Sequence, residues 1–384
     1  MVLQLVQKTM ETVMNNAESI SNASERRYLD EKEAVRVRTN NITSPSFRHT
    51  TLETNDSDDI PELDDMQLAR AHWIQLFKTN MQATIIHNMF FYLLKKFKHI
   101  RPLWHFSRNI DDNMSWTETL RRDTQFAKHC NNVHAAFDMI MENADDPEAI
   151  SDLLQELGAH HFFYEVYEPH FEVFHHSFME SMRRFLHGTE ALDGRLKNAW
   201  NTIFEEIKSN MCHGLVAQRY SYLSQCITPK EMASMSAMWN KIRVQRIEEI
   251  GSNLCELALQ AYNKQMKEMK LDLSIELDVQ SDAFIELSQL IIGALDTTIE
   301  NYNDENGFVD LPDQLQVFVH RSLVLEVCPS VLRKCFTEAL ISALVGVLGS
   351  TTMGNGVKQT WSKIGRVLEQ VIFPLKLALT TISK

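Results

Sequence analysis

Glycine and proline are scarce, 12 and 9 in 384 residues, and almost no segment sustains the apolar–polar alternation of a half-buried strand. That excludes a sheet-built fold. The six cysteines (Cys130, Cys212, Cys226, Cys255, Cys328 and Cys335) contain no C-x-x-C pair, which argues against a zinc ribbon or a disulfide scaffold and for reduced intracellular thiols. No cluster of basic residues is present. With 38 Lys and Arg against 51 Asp and Glu the formal charge is -13, which argues against nucleic acid as a partner. The most apolar stretch, 339–348, falls well short of the about 20 residues that cross a bilayer, so no transmembrane segment is expected. The first residues show no secretory leader, and Val2 excludes Met-Gly myristoylation. The expected location is cytoplasmic.

What is present is ordinary for a folded chain, 44% hydrophobic and 23% charged residues, and the length suggests two domains and a tail. Residues 1–62 are expected to form a disordered N-terminal tail, because 15–62 are mostly Asn, Ser, Thr, Glu and Asp and bury too little to offset ordering entropy. A helical pattern starts at Asp64. Met66, Ala69, Trp73 and Phe77 recur at helical spacing, as do Ile85, Met89, Leu93 and Phe97 after a polar step. Pro102 bends the chain near Trp104 and Phe106. Asp145-Asp146-Pro147 stops one helix and starts the next, Pro169 opens a long helix to Leu186, and Asp193 opens another through Trp200, Phe204 and Met211. The fold class is all-α.

The chain is organised around residues 126–171, two helices joined by an acidic turn, with His129 early in the first and His160-His161 ending the second. Helices crossing there would bring His129 and His161 to one slot lined by Val133, Phe137, Leu153 and Leu157, suited to a flat, apolar, iron-bearing ligand. Such an iron takes a neutral imidazole as a ligand, and His161 is placed to donate its other ring N–H to the Leu157 carbonyl one turn back. Most of the 15 histidines need no such role. His160 is expected in solvent and His175-His176 on an outer face. Glu172-x-x-His175 is half of a di-iron carboxylate signature, but the sequence offers no second copy.

The Phe126-x-x-His129 opening, the spacing between the two histidines, the Leu157-Gly158-x-x-His161 phrase and the corner at 166–171 together resemble the haem-binding globins, most of all neuroglobin-like and invertebrate nerve globins. The resemblance covers about 63–215. It implies one haem b per chain, with His161 as proximal and His129 as distal iron ligand. It also implies Val133 one turn along the distal helix, Phe90 above the haem, and Val166 and Phe171 on its proximal side. Trp104 falls where globins nearly always have a phenylalanine flat on the haem, with Phe106 two residues on. Oxygen, nitric oxide or carbon monoxide would bind the iron. The implied role is a six-coordinate sensor or one-electron redox protein with an electron-transfer or signalling partner. Two other readings are a haem-free helical interaction module and a nitric oxide dioxygenase or peroxidase-like globin using an external reductase.

The second half repeats the first. Pro229-Lys230-Glu231 with Trp239 resembles the start of a globin first helix, and 357–364 around Trp361 resembles 196–203 around Trp200. Residues 284–296 track 126–138. The expectation is a tandem arrangement, a globin domain at 63–215 and a second globin-like domain at 227–384. In the second, Leu287 replaces His129 and the proximal position falls on Ser322, so it is expected to lack haem, unless a shifted register makes His320 the proximal ligand.

Overall fold

The computed structural model describes residues 64–382 apart from 113–114, 188–191, 246 and 322–327; at 245, 317, 319–321 and 375–382 only the backbone is described. The expected tail at 1–62, Ser322 and the His320 side chain lie outside them. Among the described residues there is no strand, only an isolated antiparallel bridge between Asn303 and Gly307.

The first half begins with α1 (Asp65–Lys78) and α2 (Met81–Lys96), followed by 3-10 turns at Lys98–Leu103 and His105–Ser107. Then come α3 (Trp116–Arg121), α4 (Thr124–Glu142), α5 (Pro147–His161), α6 (Glu168–Phe185) and α7 (Gly194–Gln225). The acidic caps read from the sequence act as such: Asp146 accepts from Ala149 N and Asp193 from Leu196 N, satisfying amides the helix leaves unpaired. Helix α2 packs on α6, and α5 on α7. Between them lies an aromatic core in which Phe137 stacks on Phe178 at 4.8 Å and fully buried Trp200 donates Nε1–H to His72 Nδ1 at 3.0 Å. Phe137 therefore belongs to this core and not to the slot expected from its helical spacing. Phe77 also departs from its pattern: it is 43% exposed, and Leu76 and Trp73 carry the buried face of α1.

The second half runs α8 (Pro229–Gln245), α9 (Ile247–Glu268), α10 (Asp282–Glu300), α11 (Leu311–Arg321), α12 (Pro329–Leu348) and α13 (Asn355–Ile382). Several particulars of the first half recur. Trp73 donates Nε1–H to Asp138 at 2.8 Å and Trp239 to Asp296 at 2.5 Å. Asp123 caps α4 by accepting from Phe126 N, and Ser281 caps α10 by accepting from Phe284 N. As α2 meets α6 and α5 meets α7, so α9 meets α12 and α11 meets α13.

The halves share an interface. Helix α7 ends inside the second core, where Leu223 is buried and its carbonyl accepts from Phe308 N at 3.0 Å. Arg366 lies over the rings of Phe162 and Tyr222 at 5.0 and 5.3 Å. Buried Tyr167, between α5 and α6, donates to Glu369 Oε1 at 2.5 Å, and Arg333 pairs with both Glu165 and Glu369.

Candidate functional site

His129 sits in the second turn of α4, with its ring against Phe90 at 5.0 Å, Trp104 at 5.6 Å and Phe106 at 6.1 Å. The Trp104 indole, which can only donate, gives its N–H to His129 Nε2 at 3.1 Å. The His129 proton is thereby assigned to Nδ1 and the lone pair to Nε2. Burial, reinforced by nearby His161, pushes the His129 pKa down to about 4, so the ring is neutral at pH 7.

His161 closes α5. Its Nδ1 lies 2.7 Å from the Leu157 carbonyl oxygen, which can only accept, so Nδ1 carries the proton and Nε2 keeps the lone pair a metal requires. Burial lowers its pKa and the Leu157 carbonyl opposes that shift, again leaving a neutral ring. Phe171 packs edge-on to it at 5.9 Å, and Val166 N donates to the His161 carbonyl at 3.3 Å. Leu157 and Phe171 join Ile150, Leu154 and Met211 in a small apolar cluster between α5 and α7, while Val133 packs against the main core of this half.

Two glycines hold α5 in place. A Cβ on Gly158 would lie 2.0 Å from the Met211 carbonyl oxygen, and one on Gly214 would lie 1.8 Å from that of Gln155. Backbone meets backbone there, so the glycine in Leu157-Gly158-x-x-His161 sets the position of the helix that ends in His161.

Sequence reasoning passed over His170. Its Nδ1 accepts the Tyr167 N–H at 3.0 Å and so caps α6; burial, with His99 adding to it, pushes its pKa down to about 3. The signal was its place three residues after the cap of a Pro-containing helix start. Because the unfolded ring titrates near its usual value of about 6.5, the unfolded chain takes up this proton first as pH falls. His170 thus contributes full stability above that value and loses it progressively from about pH 6.5 towards about 3. We expect the urea midpoint to fall more between pH 7 and pH 5 in the wild type than in His170→Asn, which keeps an acceptor without titrating; equal falls would remove His170 from the account.

His175 is not on an outer face: it stacks on Phe204 at 4.6 Å and faces Asn201 Oδ1 at 3.1 Å. It comes within metal-ligand range of Glu172 and Glu205, but Lys208 pairs with both carboxylates and already supplies the positive charge there. His176 is exposed, and His160 is half-buried with Glu156 at 4.0 Å.

Two neutral imidazoles, each with its lone pair on Nε2 and both in mutual electrostatic range among aromatic side chains, fit an axially ligated haem iron. Residues 87–211 match the globin family. The match supports a haem-binding globin in general, with iron and a diatomic ligand such as oxygen at the haem. No curated protein matches the chain. The matched globin segment runs from α2 into α7 and contains both histidines. No described helix is long and apolar enough to cross a membrane.

Proposed function

We propose that residues 63–215 form a neuroglobin-like domain holding one haem b, with His161 as proximal and His129 as distal ligand, and that 227–384 form a second globin-like domain without haem. The observation that carries this reading is the bond from His161 Nδ1 to the Leu157 carbonyl, since it fixes the tautomer an iron ligand needs. Phe90, Trp104 and Phe106 would pack on the distal side, with Val133 one turn along α4. Leu157, Val166 and Phe171 would hold the proximal imidazole. When bound, haem supplies a one-electron couple and a site for oxygen, nitric oxide or carbon monoxide.

His129 then has two partners available for one lone pair. The Trp104 indole N–H engages Nε2, and six-coordinate iron would require that bond to be released. The resting state is a population balance between these arrangements, and a gas shifts it only by its differential affinity for the state with His129 detached. Such a balance suits a sensor or one-electron redox protein more than a bulk carrier, and the haem-free half, joined through Arg333 and Glu369 to residues just beyond His161, is suited to reporting it to a protein partner.

Visible spectra of the ferric and ferrous protein test the reading. The expected result is one haem per chain and a ferrous, ligand-free spectrum of the six-coordinate type; a single broad visible band would rule out six-coordination, and two haems per chain would rule out a haem-free second half. Trp104→Phe removes the competing donor and is expected to raise the six-coordinate fraction and slow carbon monoxide binding several-fold. An unchanged rate would detach Trp104 from that balance.

A further inference from the structure

The interface between the halves buries a carboxyl group. Glu369 of α13 is 3% exposed, and its Oε1 accepts from the Tyr167 hydroxyl at 2.5 Å. Arg333 of α12 places Nε 2.9 Å from Glu369 Oε2 and pairs through Nη2 with Glu165. Two carboxylates therefore share one guanidinium away from water.

The other groups around Glu369 do little to balance its charge. Arg366, three residues earlier on α13, adds positive charge, but its guanidinium lies over the rings of Phe162 and Tyr222. Tyr167 and Tyr222 are neutral phenols whose pKa burial raises, and His170, beside the Tyr167 ring, stays neutral down to about pH 3. The far side of Glu369 meets apolar side chains of α9, α10 and α12, among them Leu259, Ile291 and Phe336, and the Cys255 thiol, whose pKa burial also raises. A carboxylate so placed is destabilised by desolvation beyond what a shared guanidinium offsets, and a proton neutralises it. Burial accordingly pushes the Glu369 pKa from its ordinary 4.5 up to about 7, against the opposing pull of Arg333 and the Tyr167 hydroxyl.

The second carboxylate sits at a strained corner. Glu165 follows the 3-10 turn Phe162–Tyr164 beyond α5 with φ 61°, the left-handed region that residues with a side chain seldom adopt. Arg333 helps hold it there. With Glu369 protonated, Arg333 serves Glu165 alone; with Glu369 ionised, both carboxylates draw on the same cation.

We propose that Glu369 is a proton-operated latch between the two halves: its protonated carboxyl closes the interface and leaves Arg333 to Glu165, and loss of the proton to solvent loosens the corner beyond His161. Linkage sets the sign. The closed interface binds the proton more tightly than a solvated carboxyl does, so the proton's contribution to closure is complete below pH 4.5 and is lost as pH rises through about 7. From these two values the opening equilibrium grows about tenfold between pH 6 and pH 8.

Hydrogen–deuterium exchange of the full chain, corrected for the intrinsic pH dependence of exchange, tests the latch. In the wild type, protection over 162–170 and 331–335 should fall about tenfold from pH 6 to pH 8. Glu369→Gln keeps an acceptor without the charge, and its protection should change less than twofold. Tyr167→Phe removes a donor to the carboxylate and should move the loss of protection to higher pH. Infrared spectra of protein with isotope-labelled glutamate should show a protonated-carboxyl band at pH 6 that is absent at pH 8 and absent from Glu369→Gln. The proposal is overturned if wild-type protection ignores pH, if folded Glu369→Gln responds as the wild type does, if folded Tyr167→Phe leaves the transition unmoved, or if the band is missing. Should neither variant fold, the wild-type band and protection must change at the same pH, and different midpoints overturn it. None of these readouts depends on how the iron is ligated.

Discussion

His161→Ala is expected to yield a folded helical protein that no longer retains haem, whereas His129→Leu is expected to stay coloured and become five-coordinate. The asymmetry follows from the second partner of each ring. His161 is held by a carbonyl that fixes its proton on Nδ1 and orients Nε2, so its removal takes away a preorganised ligand. His129 is held by an indole N–H at Nε2 itself, so an iron ligated there would have to compete for that atom. Haem affinity should fall at least a hundredfold in His161→Ala, corresponding to roughly 2.7 kcal/mol. His129→Leu should change affinity far less while raising the rate of gas binding. Absorption spectra and haem transfer to an apo acceptor measure both, and colour lost from the His129 variant alone would reverse the two roles.

The second large effect is expected at a residue that would not touch haem. Gly158→Val places a branched side chain where the Met211 carbonyl oxygen lies 2.0 Å from the new Cβ, and a backbone atom cannot swing aside as a side chain can. Helix α5 must move off α7, opening the Ile140, Ile150, Leu154 and Met211 cluster and shifting His161 with it. Overpacking a core usually costs about 1–3 kcal/mol, and a clash with backbone should reach or exceed the top of that range. Gly214→Val attacks the same contact from α7, where the nearest atom is the Gln155 carbonyl oxygen. Gly194→Ala is the control, since nothing lies within 4 Å of its added Cβ, and should be neutral or slightly stabilising. Urea unfolding and haem retention, measured together, should fall together in Gly158→Val. If Gly158→Val matched the wild type in both, glycine would not be what positions the proximal helix.

Helix identity was legible in the sequence because it rests on local signals. The spacing of Trp73, Ile85, Met89 and Leu93, the acidic caps at Asp146 and Asp193, and the prolines at 147 and 169 each act within a turn or two of the chain, and each has the predicted effect. The His161–Leu157 bond was legible for the same reason, since a side chain near a helix C-terminus reaches the carbonyl four residues back without help from elsewhere. Where reading failed, a distant partner had decided. Phe137 shares a helix with His129 but turns to Phe178 and Trp200, and His175 is drawn inward by Phe204 of the following long helix.

By itself, then, the sequence determined an all-helical chain with His129 early in one helix and His161 ending the next, because caps, prolines and apolar periods are short-range properties. Only the tertiary structure decided which ring nitrogen of His129 carries the proton, that Trp104 donates to the other one, and that Arg333 bridges Glu165 and Glu369. Those depend on atoms brought together from far along the chain, where distance and direction, not residue order, set the energy.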